Sequence, residues 1–578
     1  MQTVDYVTLV ATLAELRARW LPARVEQFYQ RDRQTLTMAL RTLTGRDWLT
    51  LAWHPQAARI CIEDPPPRTP DTFTFSDQLR HQLNGLALID IQLLAQWERV
   101  VDFQFAGRPG EAPRWHLYVE IIGKYSNVIL TNADNEIVTV AHQVNAKQSR
   151  IRTVKTGDSY IAPPALLGDA PKLSESLAVW QEKLTLVPGK LQRQLVQCYR
   201  GVSPVLAREL ATAATVDPNV LTTHLTTTNW EALYQAWRRW LQQLENEDFQ
   251  PSWTAQGYSV LGWSAIASVE SVQKLLKNYY YRELGQQTFS QRHHYLSQKM
   301  ATCRQKAQQK VDDFRHRLGQ SAQADNYRLQ ADLLMAYPLD WRPGLQILTL
   351  PDFETQQPVS IALAPDKTGI QNAQRLYKRH QKLKRSRQAI EPLLAEATAE
   401  VAYLDSVNLA LADLHAENFA TDEATLQEIQ AELIEQGYVP AERQLRDRKS
   451  AETSKPWQYQ SPNGIGIWIG RNNRQNEQLT FRLATSYDGW LHAQEIPGSH
   501  VLLRLEPGVV PEPEDLQFAA DLAAFYSRAR LSQQVPVVYT AASKVVKPKG
   551  SQPGLAIYQP EQVLWGTPER VRAYIEQP

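Results

Sequence analysis

Along the first third of the chain the apolar positions recur at two different spacings. In VTLVATLAELRARW they return every three or four residues, which predicts one early amphipathic helix. The runs that follow, RVEQFYQ, LTMAL, WLTLAW, ARICIE, WHLYVEIIG, NVILTN and EIVTVAH, alternate over short lengths between polar turns and predict strands. Residues 1–170 are expected to form a β-rich sandwich or barrel with a few helices, and Pro163 and Pro164 of YIAPP mark its exit. From 178 to 283 the period turns helical, in LQRQLVQCYRGVSPVLARELATAA and WEALYQAWRRWLQQL. Trp230, Trp237 and Trp240 share one face of the latter and are assigned to the core.

Within this region Gly201-Val202-Ser203-Pro204 separates two helices, the second with Ala207 and Leu210 facing inward. The pattern resembles a helix-hairpin-helix unit, whose second helix offers backbone N–H groups to a phosphate. Ser203 stands where that hairpin usually has its second glycine, so an αα-hairpin that only packs is an equal reading.

Two long polar helical stretches follow, 284–323 and 369–436, around a segment carrying the strand-like runs LQILTL and VSIALA. Residues 284–440 therefore predict an antiparallel coiled-coil arm with a small insert at about 324–368. Its charges are sorted. RLYKRHQKLKRSR carries seven cations, Arg375, Lys378, Arg379, Lys382, Lys384, Arg385 and Arg387, and no acid, whereas Glu391 to Glu435 holds eleven acids and no Lys or Arg. One reading is a solvated helix face. The other adds Arg292, Lys299, Arg304, Lys306 and Lys310 of the opposite helix to give the arm one positive end, shaped for RNA phosphates. The acidic stretch would then point away from RNA or toward a basic protein.

After the charged linker PAERQLRDRKSAETSK, residues 455–578 alternate the strand-like runs IGIWIG, LTFRLA, HVLLRL, VPVVYT and LAIYQ with one helix, LQFAADLAAFYSRAR, and predict a compact α+β domain. Its loops are basic at Arg471, Arg474, Arg482, Arg504, Lys544, Lys547 and Lys549. The stretch DGWLHAQEIPGSH gathers Asp488, His492, Glu495, Ser499 and His500 around Pro497-Gly498. A metal site would need a further ligand beside the two histidines, and Ser499 and His500, as neighbours on a strand, point to opposite faces. A structural or RNA-facing turn, with positive φ at Gly498 and Ser499-His500 opening the next strand, is expected instead.

Composition narrows the class. A chain of 578 residues exceeds one core and predicts about three to five domains. With 62 Lys+Arg against 61 Asp+Glu the net charge is +1, so nucleic-acid binding has to come from local segregation of charge. Cys61, Cys198 and Cys303 are too widely separated for a zinc ribbon or a disulfide framework, which fits a reducing cytoplasm. Acids at Asp5 and Glu15 argue against a signal peptide, and no window reaches the roughly 18 apolar residues of a membrane span. No nucleotide-binding loop such as GxxxxGK[ST] occurs, and no cofactor or catalytic residue is expected.

Longer motifs carry more information. WIGRNNRQNEQLTFRLATSYDGWLHAQEIPGSHVLLR, AADLAAFYSRAR, VVYTAASKVVKPKG and PGLAIY closely resemble the C-terminal RNA-binding domain, NFACT-R, of the NFACT family. The first region is similar to that family's N-terminal domain through Asp5, Arg24 in ARVEQF, FSDQLRHQLNG, WERVVDFQF from Trp97 and VEIIGKYSNVILTN. GVSP and NAQRLYKRHQKLK stand where the family has its helical domain and coiled-coil middle.

The resemblance implies a cytoplasmic factor of ribosome-associated quality control, of the bacterial type because the chain ends soon after NFACT-R. Such proteins bind the large ribosomal subunit obstructed by peptidyl-tRNA, through rRNA. They recruit alanyl-tRNA for template-free alanine tailing of the stalled chain. The ribosome makes the peptide bond, so the factor is no enzyme, and a small S4-like RNA-binding protein is a possible partner. By the same resemblance Asp5, Glu98 and Arg99 hold tRNA, with glutamate at 98 where the family carries aspartate. Arg471, Arg474, His492, His500, Lys544 and Lys547 join the arm cations as RNA-facing candidates. Alternatives are a ribosome- and tRNA-binding factor without tailing and a surface fibronectin-binding adhesin. A formamidopyrimidine-type glycosylase is disfavoured, because Gln2 and Thr3 replace its proline nucleophile and glutamate.

Overall fold

The computed structural model describes residues 1–67, 70–145, 147–149, 151–337, 342, 344–441 and 454–575. The multidomain α+β chain divides into two compact units, Met1–Gly285 and Gln286–Pro578.

The first unit opens with α1 (Tyr6–Trp20). Asp5 caps it by accepting the Thr8 N–H at 2.9 Å, Leu9, Leu13 and Leu16 are fully buried at helical spacing, and Pro22, with no N–H to donate, ends it. Then come β1 (Ala23–Asp32), β2 (Thr35–Arg41), β3 (Arg46–Ala52), β4 (Arg59–Glu63), α2 (Thr74–Leu83), β5 (Ala87–Leu93), β6 (Val100–Ala106), β7 (Trp115–Glu120), β8 (Asn127–Asn132) and β9 (Ile137–Val140). They form one antiparallel sheet in the order β4-β3-β2-β1-β5-β6-β7-β8-β9. Two meanders thus meet at a short seam, Ala23↔Leu88 and Arg24↔Ala87. β6, like β2 and β8, is buried almost throughout and so lacks the alternation of a half-exposed strand.

The helical part contains α3 (Leu177–Thr185), α4 (Leu191–Cys198), α5 (Pro204–Ala213) and α6 (Thr227–Glu245), followed by a small sheet of β10 (Ser252–Thr254), β11 (Gly257–Ser259) and β12 (Ala267–Ser268). Trp230, Trp237 and Trp240 are all buried. Trp240 packs 5.8 Å from Trp97, and one continuous apolar cluster joins the sheet, α1 and the helices. The β-rich and helical regions, distinct in sequence period, therefore share a core.

α7 (Val272–Ser321) runs from the first unit into the second, where α8 (Ala324–Ala336), β13 (Ile347–Pro351), β14 (Pro358–Ala362), α9 (Gly369–Ala412) and α10 (Phe419–Glu435) follow. Phe289, Leu296, Met300 and Ala307 are buried at the seven- and four-residue spacing of a coiled-coil seam. Arg304 meets Asp405 at 2.5 Å and Lys310 meets Glu400 at 3.3 Å, so α7 and α9 run antiparallel. α8 continues the arm: His380 bonds the Ala324 carbonyl at 2.9 Å, and Arg379 lies over the Tyr327 ring. The insert proper is accordingly smaller than 324–368 and centres on the β13–β14 hairpin.

The last region comprises β15 (Trp457–Gln460), β16 (Gly466–Ile469), α11 (Asn473–Gln478), β17 (Gly489–Ala493), β18 (Val501–Leu503), α12 (Pro513–Phe525), β19 (Val535–Ala541), β20 (Val545–Val546), β21 (Ile557–Tyr558), β22 (Gln562–Gly566) and α13 (Pro568–Ile575). Its six-stranded sheet has the order β15-β16-β18-β17-β19-β22, with α12 packed on one face. LTFRLA is not a strand. It continues α11 as a π-helical turn, Leu479–Leu483, because Asn472 caps α11 through the Gln475 N–H and only Leu479 and Thr480 of the turn are buried. Most of the linker PAERQLRDRKSAETSK, residues 442–453, lies outside the described residues.

Candidate nucleic-acid interface

Three segments of the first unit converge on Asp5. Its Oδ1 accepts the Thr8 N–H, and its Oδ2 accepts the Ser203 hydroxyl at 2.6 Å. Ser203 in turn caps α5 by accepting the Leu206 N–H at 3.0 Å. The hairpin before α5 closes on Trp97: Gly201 has φ +71°, and a Cβ there would stand 2.7 Å from the indole. Trp97, itself at φ 67°, is buried against Tyr6 and Trp240. The GVSP hairpin is thus used for packing, and its Ser203 faces a carboxylate.

Glu98 and Arg99 follow Trp97 directly. They form no ion pair with each other, and each is tied elsewhere. The Glu98 Oε1 accepts the Leu166 N–H at 3.0 Å, from the exit segment of the β-rich region, and Arg99 Nη1 donates to the Val4 carbonyl at 3.4 Å. Burial lowers the Arg99 pKa below its ordinary value while the charges of Asp5 and Glu98 pull it up. Asp5, Glu98 and Arg99 therefore share one electrostatic site, but Asp5, 9% exposed with both oxygens engaged, is its inner support. Sequence reading did not mark Glu209 of α5, which also senses Asp5. Burial raises its pKa to about 7, helped by Asp5 and opposed by a hydrogen bond from Ser259.

On the arm, Arg375, Lys378, Arg379, Lys382, Lys384, Arg385 and Arg387 are all exposed on α9. Among the described residues only Arg387 pairs with an acid, Glu391 one turn on. Arg375, Lys378, Lys382 and Arg385 fall on one side of the helix at spacings of three and four, opposite buried Ala373 and Leu376. At 1.5 Å per residue this stripe is roughly 15 Å long. The α7 cations do not extend it, because antiparallel packing carries them to the acidic half: Arg292 pairs with Glu423, Arg304 with Asp405 and Lys310 with Glu400.

The acidic half points at this chain's own C-terminal module. Asp422 binds Arg471 at 2.6 Å, Glu435 binds Arg474 at 2.7 Å, Asp405 binds Arg528 at 3.1 Å, and Asp413 binds Arg530. Glu432 accepts from Tyr403 and Asn473, and Glu428 from Ser454 and Asn472. Arg471, whose side chain is 9% exposed, is consequently an interior ion-pair partner and no RNA-facing cation; Arg474 is also engaged. Lys544 and Lys547, nearer the surface, pair with Glu561 and Glu477.

DGWLHAQEIPGSH is a structural turn. Asp488 is fully buried and accepts the N–H groups of Thr485 and Leu505 at 2.8 and 3.0 Å. The His500 Nδ1 and the Trp490 indole N–H both meet the Thr480 hydroxyl, and His492 bonds the Gly498 carbonyl at 3.3 Å. Burial lowers both histidine pKa values, that of His500 to about 3, so neither is a cation at neutral pH. Their rings stand 5.4 Å apart, and among the described residues no group of three potential metal ligands forms. The positive φ belongs to Glu495, whereas Gly498 is needed for its close approach to Ser527, 3.3 Å from an added Cβ.

Residues 5–452 match the family described as NFACT N-terminal and middle domains, and residues 455–556 match the NFACT protein RNA binding domain. The chain belongs to the NFACT family. It is 30% identical over 572 residues to the Rqc2 homolog RqcH of Streptococcus suis (strain 05ZYH33), covering 96% of both chains. It is 28% identical over 570 residues to the Rqc2 homolog RqcH of Bacillus subtilis (strain 168), again covering 96% of both. A solved structure of the C-terminal part of the fibronectin/fibrinogen-binding protein from Streptococcus suis aligns with TM-score 0.38 at 30% identity, over 49% of this chain and 98% of that one. No helix among the described residues is long and apolar enough to cross a membrane.

Proposed function

We propose that this protein is a cytoplasmic factor of ribosome-associated quality control. It binds large ribosomal subunits obstructed by peptidyl-tRNA and recruits alanyl-tRNA for template-free alanine tailing of the stalled chain. The observation that carries the reading is the meeting of Glu98 and Arg99 with the Asp5–Ser203 contact in a unit that matches the NFACT N-terminal domain. Arg99 keeps guanidinium N–H groups beyond the one given to Val4 and binds a phosphate or a base edge of the tRNA. Glu98 keeps its second oxygen for a base amino group or a ribose hydroxyl. The Leu166 N–H and the Val4 carbonyl hold this pair in place, and the Asp5 charge draws on Arg99 at longer range. The arm's basic stripe supplies a backbone contact to rRNA. The ribosome forms each peptide bond, so the protein positions its substrates and is not itself an enzyme. A small S4-like RNA-binding protein assists it on the subunit.

The test is mass spectrometry of stalled nascent chains from cells with and without the gene, beside a sucrose gradient of the lysate. Comigration with large subunits and alanine tails that vanish in the deletion and in Arg99→Ala are expected. Tails absent from wild-type cells would remove tailing and leave ribosome binding. A protein confined to the cell surface would overturn both.

A further inference from the structure

The partners of the C-terminal module's cations decide where RNA can touch it. Arg471, Arg474, Arg528 and Arg530 are held by the arm's acids, Lys544 and Lys547 by Glu561 and Glu477, and Arg570 lies 3.7 Å from Asp521. Lys455, Lys549 and Arg572 are exposed and form no ion pair among the described residues, but the π-helical turn differs in setting such a cation next to a residue that anchors a second guanidinium. Arg482 within it is exposed and forms no ion pair among the described residues. On the next residue, the Leu483 carbonyl accepts the Arg504 Nη1 at 2.8 Å. The Arg504 guanidinium also lies 3.1 Å from the fully buried Asp488 carboxylate and 4.8 Å over the Trp468 ring, so it is fixed from three sides while its side chain stays 32% exposed. Tyr487, one residue before Asp488, is 42% exposed. π-helical turns are rare and concentrate at functional sites.

We propose that Arg482, Tyr487 and Arg504 form a binding site for an unpaired segment of RNA, a deepening that rests on the RNA-binding reading above. The Tyr487 ring takes the face of one base, and Arg482 and the uncommitted N–H groups of Arg504 take the flanking phosphates. Base stacking on an aromatic ring beside guanidinium groups is how single strands are held without sequence preference. A duplex would offer this ring no open base face. Asp488, the first residue of the DGWLH stretch, acts as a positioning residue by fixing Arg504.

The full-length protein is titrated against a fluorescently labelled 12-nucleotide single-stranded RNA and against an RNA duplex of equal length, at several salt concentrations. Tyr487→Ala is expected to weaken single-strand binding about ten-fold. Arg482→Ala is expected to weaken it and lower its salt slope by about 0.7. Neither changes the melting temperature or duplex binding. Arg528→Ala, an arm-facing control, leaves single-strand affinity at the wild-type value. Wild-type affinity in both Tyr487→Ala and Arg482→Ala, or an equal loss in Arg528→Ala, overturns this site while leaving the RNA-binding function intact. A wild-type protein that binds neither RNA overturns both.

Discussion

The Ser203 hydroxyl donates to the Asp5 carboxylate at 2.6 Å and so ties the cap of the first helix to the cap of α5, 198 residues further on. Removing that hydroxyl costs α5 its cap, about 1 kcal/mol, and leaves a buried carboxylate oxygen short of a partner, a further ~1–3 kcal/mol. Ser203→Ala is expected to lower stability by roughly 2–3 kcal/mol in urea denaturation, whereas Ser203→Thr keeps the hydroxyl and most of the stability.

Glu209 makes the first unit sensitive to pH. Its folded pKa, about 7, lies above the ordinary carboxyl value, so the folded state holds this proton more tightly than the unfolded chain. The stability it contributes is fully present below about pH 4.5 and is lost as pH rises through 7. Glu209→Gln should match the wild type in denaturation at pH 4.5 and exceed it at pH 8 by on the order of 2 kcal/mol.

Arg375, Lys378, Lys382 and Arg385 contribute little to stability, since none pairs with an acid among the described residues. Replacing all four with Gln should leave the melting temperature within about a degree of wild type, as expected for surface changes far from the core. It should flatten the salt dependence of large-subunit binding by roughly 3 in the log-log slope, measured by filter binding or sedimentation.

The Arg471–Asp422 pair is desolvated on both sides, with side chains 9% and 7% exposed. Arg471→Ala strands a buried carboxylate and should cost about 3–5 kcal/mol, whereas the double change Arg471→Met with Asp422→Leu should recover most of the loss. Urea denaturation of the three proteins distinguishes these outcomes.

Periodicity revealed α1, the tryptophan core of α6 and the long arm helices, because each follows one regular spacing over many residues. It misread LTFRLA, where five residues alternate by accident and a capping asparagine upstream decides for helix. The basic and acidic runs of the arm were visible as composition. Their partners were not, because antiparallel pairing sets Lys310 against Glu400 and tertiary packing sets Arg471 against Asp422. The histidines of DGWLHAQEIPGSH drew notice as chemistry, yet the burial that holds them neutral appears only once the Trp490 and Thr480 neighbourhood is assembled. Glu98 and Arg99 came from family resemblance alone, and no spacing rule links them to Ser203.

The arm's basic stripe and the acids that cradle the C-terminal module differ in how strongly ionic strength reaches them. Added salt screens the exposed stripe on α9 and weakens the phosphate contact proposed for it, but it reaches the desolvated Arg471–Asp422 contact far less. A high-salt wash that frees the protein from ribosomes should therefore release the arm and its module still joined, ready to rebind without reassembly.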